Sequence, residues 1–106
     1  MTNNDTATTN PDEYNGWVNR ETWATALHLS NDENLYRYCV QIVADAATLP
    51  AAADALDKFV TEAAETVYYP EPGETPAEWV RLMLSDVGSL WRVDWHAVAE
   101  SFVEES

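Results

Sequence analysis

The side chains most able to do chemistry in this chain are two histidines, one cysteine and a large excess of carboxylates. His28 and His96 have no neighbouring His or Cys at the spacing that zinc sites use, so no metal centre is expected. Cys39 falls in an apolar stripe, where a thiol stays protonated and inert, and only Arg37 lies near it in sequence to favour the thiolate. There are 3 glycines, too few and too scattered for a phosphate-binding loop. No Ser-His-Asp set stands out. Carboxylate pairs suited to general acid–base work are plentiful, but among 19 acidic residues a pair carries no specificity. Such work also needs a concave, partly dry site, which a small helical bundle seldom provides. The expectation is a protein that is not an enzyme and takes no cofactor and no metal.

The carboxylates suit recognition better than catalysis. Nineteen acidic residues against 5 basic ones give a formal net charge of −14. Such an excess favours solubility, costs stability through self-repulsion, and repels nucleic acid and anionic membranes. It attracts a basic partner, and a basic protein surface is often one that normally holds nucleic-acid phosphates. Asp54, Asp57, Glu62 and Glu65 fall on one side of a predicted helix, with Lys58 the only base among them. Glu71 and Glu74 extend the charge into the following loop, and Glu100, Glu104 and Glu105 add more near the end. Duplex DNA carries one charge per about 1.7 Å of axis. A rigid helix face with a carboxylate every turn or so can imitate that array and compete for an Arg- and Lys-lined groove, associating fast and salt-sensitively. The plainer reading is a solvated face on a halophilic or merely acidic protein. Trp17, Trp91 and the Tyr68-Tyr69 pair, at helix flanks and in a loop, form a second set of contact candidates, since aromatics are enriched at interface hot spots.

Helices must position these residues. Asn15-Gly16 marks a turn, and Asn19 is placed to cap a first helix over about 20–29, with Trp23 and Leu27 inward. Ser30 and Glu33 have capping-box spacing and predict a second helix over about 31–47. Leu35, Tyr36, Cys39, Ile42, Val43 and Ala46 form its apolar stripe, and Glu33 and Arg37 an i,i+4 pair. Pro50 sits in the first turn of a third helix, about 50–67, whose apolar face is Leu56, Phe59, Val60, Ala63 and Val67. The run from Tyr68 to Glu74 reads as a loop. Thr75, Pro76 and Glu78 combine a capping Thr, a Pro at the first helical position and a box Glu. They predict a fourth helix ending at Val87 before Gly88, with Trp79, Val80, Met83, Leu84 and Val87 inward. Asp94 caps a last helix over about 95–104, with Trp95, Val98, Ala99 and Phe102 inward. Tyr68-Tyr69 and Leu90–Val93 could be extended, but each is short, and no strand pattern competes along the chain.

The fold class is therefore all-α: a compact bundle of about five helices over residues 14–106, preceded by a disordered acidic and polar tail over residues 1–13. At 106 residues the chain makes one domain with a modest core. One cysteine excludes an internal disulfide and fits a reducing compartment. The N-terminus lacks the basic and apolar regions of a signal peptide, and no apolar run approaches membrane-spanning length. A cytoplasmic location in the host cell is expected, with no membrane partner.

The stretch Tyr14-Asn15-Gly16-Trp17-Val18-Asn19-Arg20-Glu21-Thr22-Trp23, followed by Ala26 to Asp32, resembles the opening of a family of small proteins scattered over bacteriophages, plasmids and other mobile elements. Val93 to Phe102 is similar to that family's closing helix. His28 stands where the family usually has another aromatic. The resemblance implies a mobile-element origin and carries no catalytic residues; its motif positions look structural. Mobile elements encode small acidic proteins that block restriction or CRISPR machinery. Joined to the charge, this gives the leading expectation: an anti-CRISPR or anti-restriction inhibitor acting by DNA mimicry at a basic nucleic-acid-binding protein or complex of the host, with no direct contact to nucleic acid. The contact residues would be Asp54, Asp57, Glu62, Glu65, Glu71 and Glu74. The alternatives are an accessory protein-interaction module that uses its exposed aromatics, and a halophilic acidic protein of unrelated role.

Overall fold

The computed structural model describes residues 14–103. Tyr14 and Trp17 exchange two backbone hydrogen bonds, of 2.9 and 2.8 Å, around Asn15 (φ 50°) and Gly16 (φ 85°). Positive φ at both central residues is the type I′ pattern, for which Asn-Gly is the least strained pair. The Tyr14 ring packs on Trp23 with centroids 4.8 Å apart, which pins the turn to the first helix.

Five α-helices follow: α1 (Arg20–Asn31), α2 (Glu33–Asp45), α3 (Leu49–Tyr68), α4 (Glu78–Val87) and α5 (Trp95–Ser101). A single 3-10 turn at Leu90–Arg92 joins α4 to α5, in the segment where an extended conformation was the alternative. No strand occurs among the described residues. α3 packs against α2, α4 and α5, while α1 packs against α2, α4 and α5. Leu29, Cys39, Leu56, Val60, Met83, Val98 and Phe102 are buried in one core drawn from all five helices. Fully burying a large apolar side chain contributes roughly 1.5–3 kcal/mol. Trp23, Trp79 and Trp95 pack half-buried against that core.

Several local expectations need correction. Tyr68 does not open the loop but is the last residue of α3. Ser30 does not start α2: it lies inside α1 and its Oγ donates to the Ala26 carbonyl at 2.7 Å. Asp32 caps α2 instead, accepting from the Leu35 N–H at 3.0 Å, so α1 ends later and α2 starts later than expected. Thr75 and Pro76 stay outside α4. Ala77 precedes that helix in an extended conformation (φ −64°, ψ 143°) with no side-chain cap, and Glu78 in the first turn complements the helix dipole. The inward side of α1 is Thr22, Thr25, Ala26 and Leu29, rotated by roughly one residue (~100°) from the Trp23–Leu27 side, and Leu27 is exposed. Two threonines can face the core because their hydroxyls are hydrogen-bonded, Thr25 to the Glu21 carbonyl at 2.9 Å and Thr22 as described below. Finally, α5 ends at Ser101. The tail over 1–13 and the residues Glu104 and Glu105 lie outside the described residues.

Gly88 ends α4 as expected, with φ +84°. Its ψ of −75° and the 3.1 Å bond from the Ser89 N–H to the Val87 carbonyl make it the centre of a γ-turn, not a left-handed helical cap. A side chain at this φ would be strained, so the sharp exit from α4 depends on glycine.

The opening motif ties the two ends of the described chain together. Asn19 Oδ1 accepts from the Thr22 N–H at 2.8 Å and from the Thr22 hydroxyl at 2.7 Å. Asn19 Nδ2 donates to the Arg92 carbonyl at 2.9 Å. The Thr22 hydroxyl in turn accepts from the Asp94 N–H at 2.9 Å, at the residue that caps α5 by accepting from the Ala97 N–H. One asparagine and one threonine thus cap α1, hold the 3-10 turn and fix the entry to α5.

Candidate functional site

The third helix owes its length to a capped start and a clean division of faces. Thr48 Oγ1 accepts from the Ala51 N–H at 3.2 Å and Pro50 occupies the first turn. Ala52, Ala53, Leu56, Val60 and Ala64 are buried, so Asp54, Lys58, Glu62 and Glu65 are left exposed to water. Asp57 lies at the boundary, half-buried, and accepts from the Thr61 hydroxyl at 2.9 Å. From Asp54 to Glu65 the helix rises about 16 Å, one carboxylate per roughly 5 Å. A single DNA strand carries a phosphate per ~3.4 Å of axis. The carboxylates are thus spaced more widely than the phosphates of a single strand.

Three of the four arginines serve other parts of the molecule. Arg20 pairs with Asp86, Arg37 with Glu33 and Arg92 with Glu21 at 3.3 Å. Asp86 also receives His28 Nε2 at 2.9 Å. The hydrogen bonds from Arg20 and then His28 hold the Asp86 carboxyl below the usual carboxylate range, and Asp86 raises the Arg20 pKa in return. This group fastens α1 to α4. Among the described residues no ion pair involves a carboxylate of α3.

The loop after α3 holds Glu71 and Glu74 in a tight turn. The Glu74 N–H donates to the Glu71 carbonyl at 2.9 Å, across Pro72 and Gly73, whose φ is +84°. Pro followed by a glycine of positive φ is the type II arrangement. The Glu71 N–H donates back to Glu74 Oε1 at 3.1 Å. Both glutamates are exposed, but Glu74 has one oxygen committed to its own turn.

A groove of about 380 Å³ runs beside α3, lined by Asp57, Thr61, Glu65 and Tyr68 on one side and by Leu90, Trp91 and Trp95 on the other. Trp91 is 82% exposed and Tyr68 57%. The acidic set therefore divides: Asp57 and Glu65 border an aromatic groove, whereas Asp54 and Glu62 do not. Trp91 and Tyr68 were legible as flanking aromatics. Their approach to α3 was not, because it depends on where the 3-10 turn docks. Trp17, the other flanking tryptophan, is half-buried and lines a separate shallow groove with Trp23 and Leu27.

Among the described residues no group of three or more His, Cys, Asp or Glu residues is placed to hold a metal ion. Burial pushes the Cys39 thiol up to about 12, so it stays protonated at neutral pH. A larger cleft of about 530 Å³, between the end of α2, the start of α3 and Phe102, is lined mainly by Val, Ala and Leu, with Glu100 as its one titratable group. Among the described residues no helix is long and apolar enough to cross a membrane.

Residues 10–93 match a family described as a family of unknown function, DUF7249. The chain belongs to DUF7249. The matched span of this DUF7249 member contains the Asn15-Gly16 turn, the Asn19–Thr22 clamp, α1 to α4 and the 3-10 turn, and α5 lies beyond it. No curated protein and no solved structure matches the chain.

Proposed function

We propose that this DUF7249 protein is a binding protein for a basic, nucleic-acid-binding protein surface, which it occupies in place of nucleic acid through the outer face of α3. The observation that supports this reading is the contrast in pairing. Three arginines are engaged by acids elsewhere, while Asp54, Asp57, Glu62 and Glu65 carry negative charge with no ion-pair partner among the described residues. The resemblance to mobile-element proteins gives the setting, and an inhibitor of a host restriction or CRISPR system is the role that joins the two. Glu71 and Glu74 extend the surface beyond the end of α3.

The test is capture of host proteins on tagged protein at low and at high salt, with the Asp54→Lys, Asp57→Lys, Glu62→Lys, Glu65→Lys variant beside the wild type. The expected result is a DNA- or RNA-binding defence complex, released by salt or by competing nucleic acid and not retained by the variant. Long-range charge attraction is screened within about 8–10 Å at physiological ionic strength, so release should be steep. Equal capture by the variant would overturn the proposal. A second reading is favoured by the exposure of Trp91, Tyr68 and Tyr69: a protein interface dominated by aromatic contacts, whose partner stays bound at high salt.

A further inference from the structure

We infer that the groove between α3 and the 3-10 turn is a receptor for an arginine side chain of a partner protein. The inference rests on the reading of α3 as a contact for a basic protein, and it names the group that this contact selects. Asp57 and Glu65 supply two carboxylates on one wall, eight residues and therefore about 12 Å of helix apart, so that a guanidinium bonds one of them while the other adds to the attraction. Trp91, Trp95 and Tyr68 supply aromatic surface. A guanidinium is the cationic group that uses both. It is planar, weakly hydrated and able to stack on a ring while its N–H groups reach carboxylates, whereas an ammonium is a compact, strongly hydrated point charge.

The molecule already contains one such contact. The Arg92 guanidinium carbon lies 5.8 Å from the centroid of the Trp91 ring, although Arg92 does not line the groove. Neither does Lys58, so among the described residues no basic side chain lines its walls. The volume of about 380 Å³ is at the small end of ligand-pocket sizes. It accommodates a side chain with short flanking backbone and not a folded element. Charge complementarity and the exposed indole together specify the occupant: an arginine displayed on an extended segment or loop.

The test uses the intact protein with isotope-labelled tryptophan side chains and the peptide acetyl-Gly-Arg-Gly-amide, beside its lysine and citrulline counterparts. The arginine peptide should shift the Trp91 and Trp95 indole N–H resonances saturably, binding at least threefold tighter than the lysine peptide, and the neutral citrulline peptide should not saturate. Trp91→Ala and the pair Asp57→Asn, Glu65→Gln should each weaken binding at least tenfold, while Asp54→Asn, Glu62→Gln should change it less than twofold. Equal affinity for arginine and lysine, or equal losses from the two carboxylate pairs, would reduce the groove to diffuse charge attraction and overturn the inference. The failures can be told apart. Partner capture that is lost on Asp54→Lys, Glu62→Lys but indifferent to Trp91→Ala overturns the groove and leaves the proposed function. Arginine-selective binding in a protein whose partner capture ignores every charge reversal on α3 does the opposite.

Discussion

Two regions of this molecule use the same carboxylate chemistry to opposite ends. Where α1 meets α4 and the 3-10 turn, Glu21 and Asp86 are each engaged by an arginine far away in sequence, and Asn19 and Thr22 satisfy one another and the backbone. On the outer face of α3, Asp54, Glu62 and Glu65 are exposed to water and Asp57 is half-buried. The first region holds elements together through paired charges; the second has no ion-pair partner among the described residues. Net charge alone does not distinguish these cases. With 5 basic residues against 19 acidic ones, where the bases are placed decides which carboxylates remain unpaired.

The comparison breaks most readily at its buried end. Asn19→Ala removes a helix cap, worth about 1 kcal/mol, and a hydrogen bond to the Arg92 carbonyl that holds the 3-10 turn. It also leaves the buried Thr22 hydroxyl one partner short. A loss of about 2–3 kcal/mol, or ~10–20 °C in melting temperature for a domain of this size, is expected from thermal unfolding followed by circular dichroism. A loss below 0.5 kcal/mol would show that the clamp is incidental to the fold.

A smaller effect is expected at Asp86, whose partly exposed ion pair is screened by water. Its folded-state pKa is lowered, so its contribution is present above the ordinary carboxylate pKa of about 4 and is lost as the pH falls through the folded value. Asp86→Asn should therefore lower stability at neutral pH by less than Asn19→Ala does. Its difference from the wild type should shrink as the pH drops below about 4. A difference that stays constant down to pH 2 would assign the cost to packing instead of charge.

The smallest effect on stability is expected on the open face. Neutralising Asp54, Asp57, Glu62 and Glu65 to Asn and Gln should change stability by no more than ~0.5 kcal/mol per site, since exposed substitutions away from special features seldom do more. The sum should be stabilising at low salt because self-repulsion falls. Raising salt from 0.05 to 0.5 M should stabilise the wild type more than this variant. A wild type that unfolds at low salt, as a halophilic protein would, removes the need for a partner to explain the charge. Trp91→Ala is expected to be near neutral for stability, so any loss of binding in that variant reports on the groove and not on the fold.

Much of this protein was written locally in its chain. The Asn15-Gly16 turn, the Asn19 and Asp94 caps, the Glu33–Arg37 pair and the division of α3 into apolar and acidic faces all depend on residues within about four positions of one another. At that range helix geometry dictates which side chains meet. Competition between neighbouring signals limited this reading. Asp32 displaced Ser30 as a cap, and the extended Pro76-Ala77 segment carried Thr75 outside α4. Only tertiary structure decided the rest. Leu27 is exposed and Thr22 buried because the nearby Asn19 and the distant Asp94 N–H together satisfy the threonine hydroxyl, which hydrophobic periodicity cannot register. Arg20 finds Asp86 across 66 residues, and Trp91 lines one groove with Asp57 and Glu65 only through the docking of a 3-10 turn. The sequence by itself determined which residues form helices and which face of α3 is acidic. Tertiary packing determined which acids are neutralised and which line an aromatic groove, because pairing of charges and approach of rings depend on separation in space, and the chain sets that only when folded.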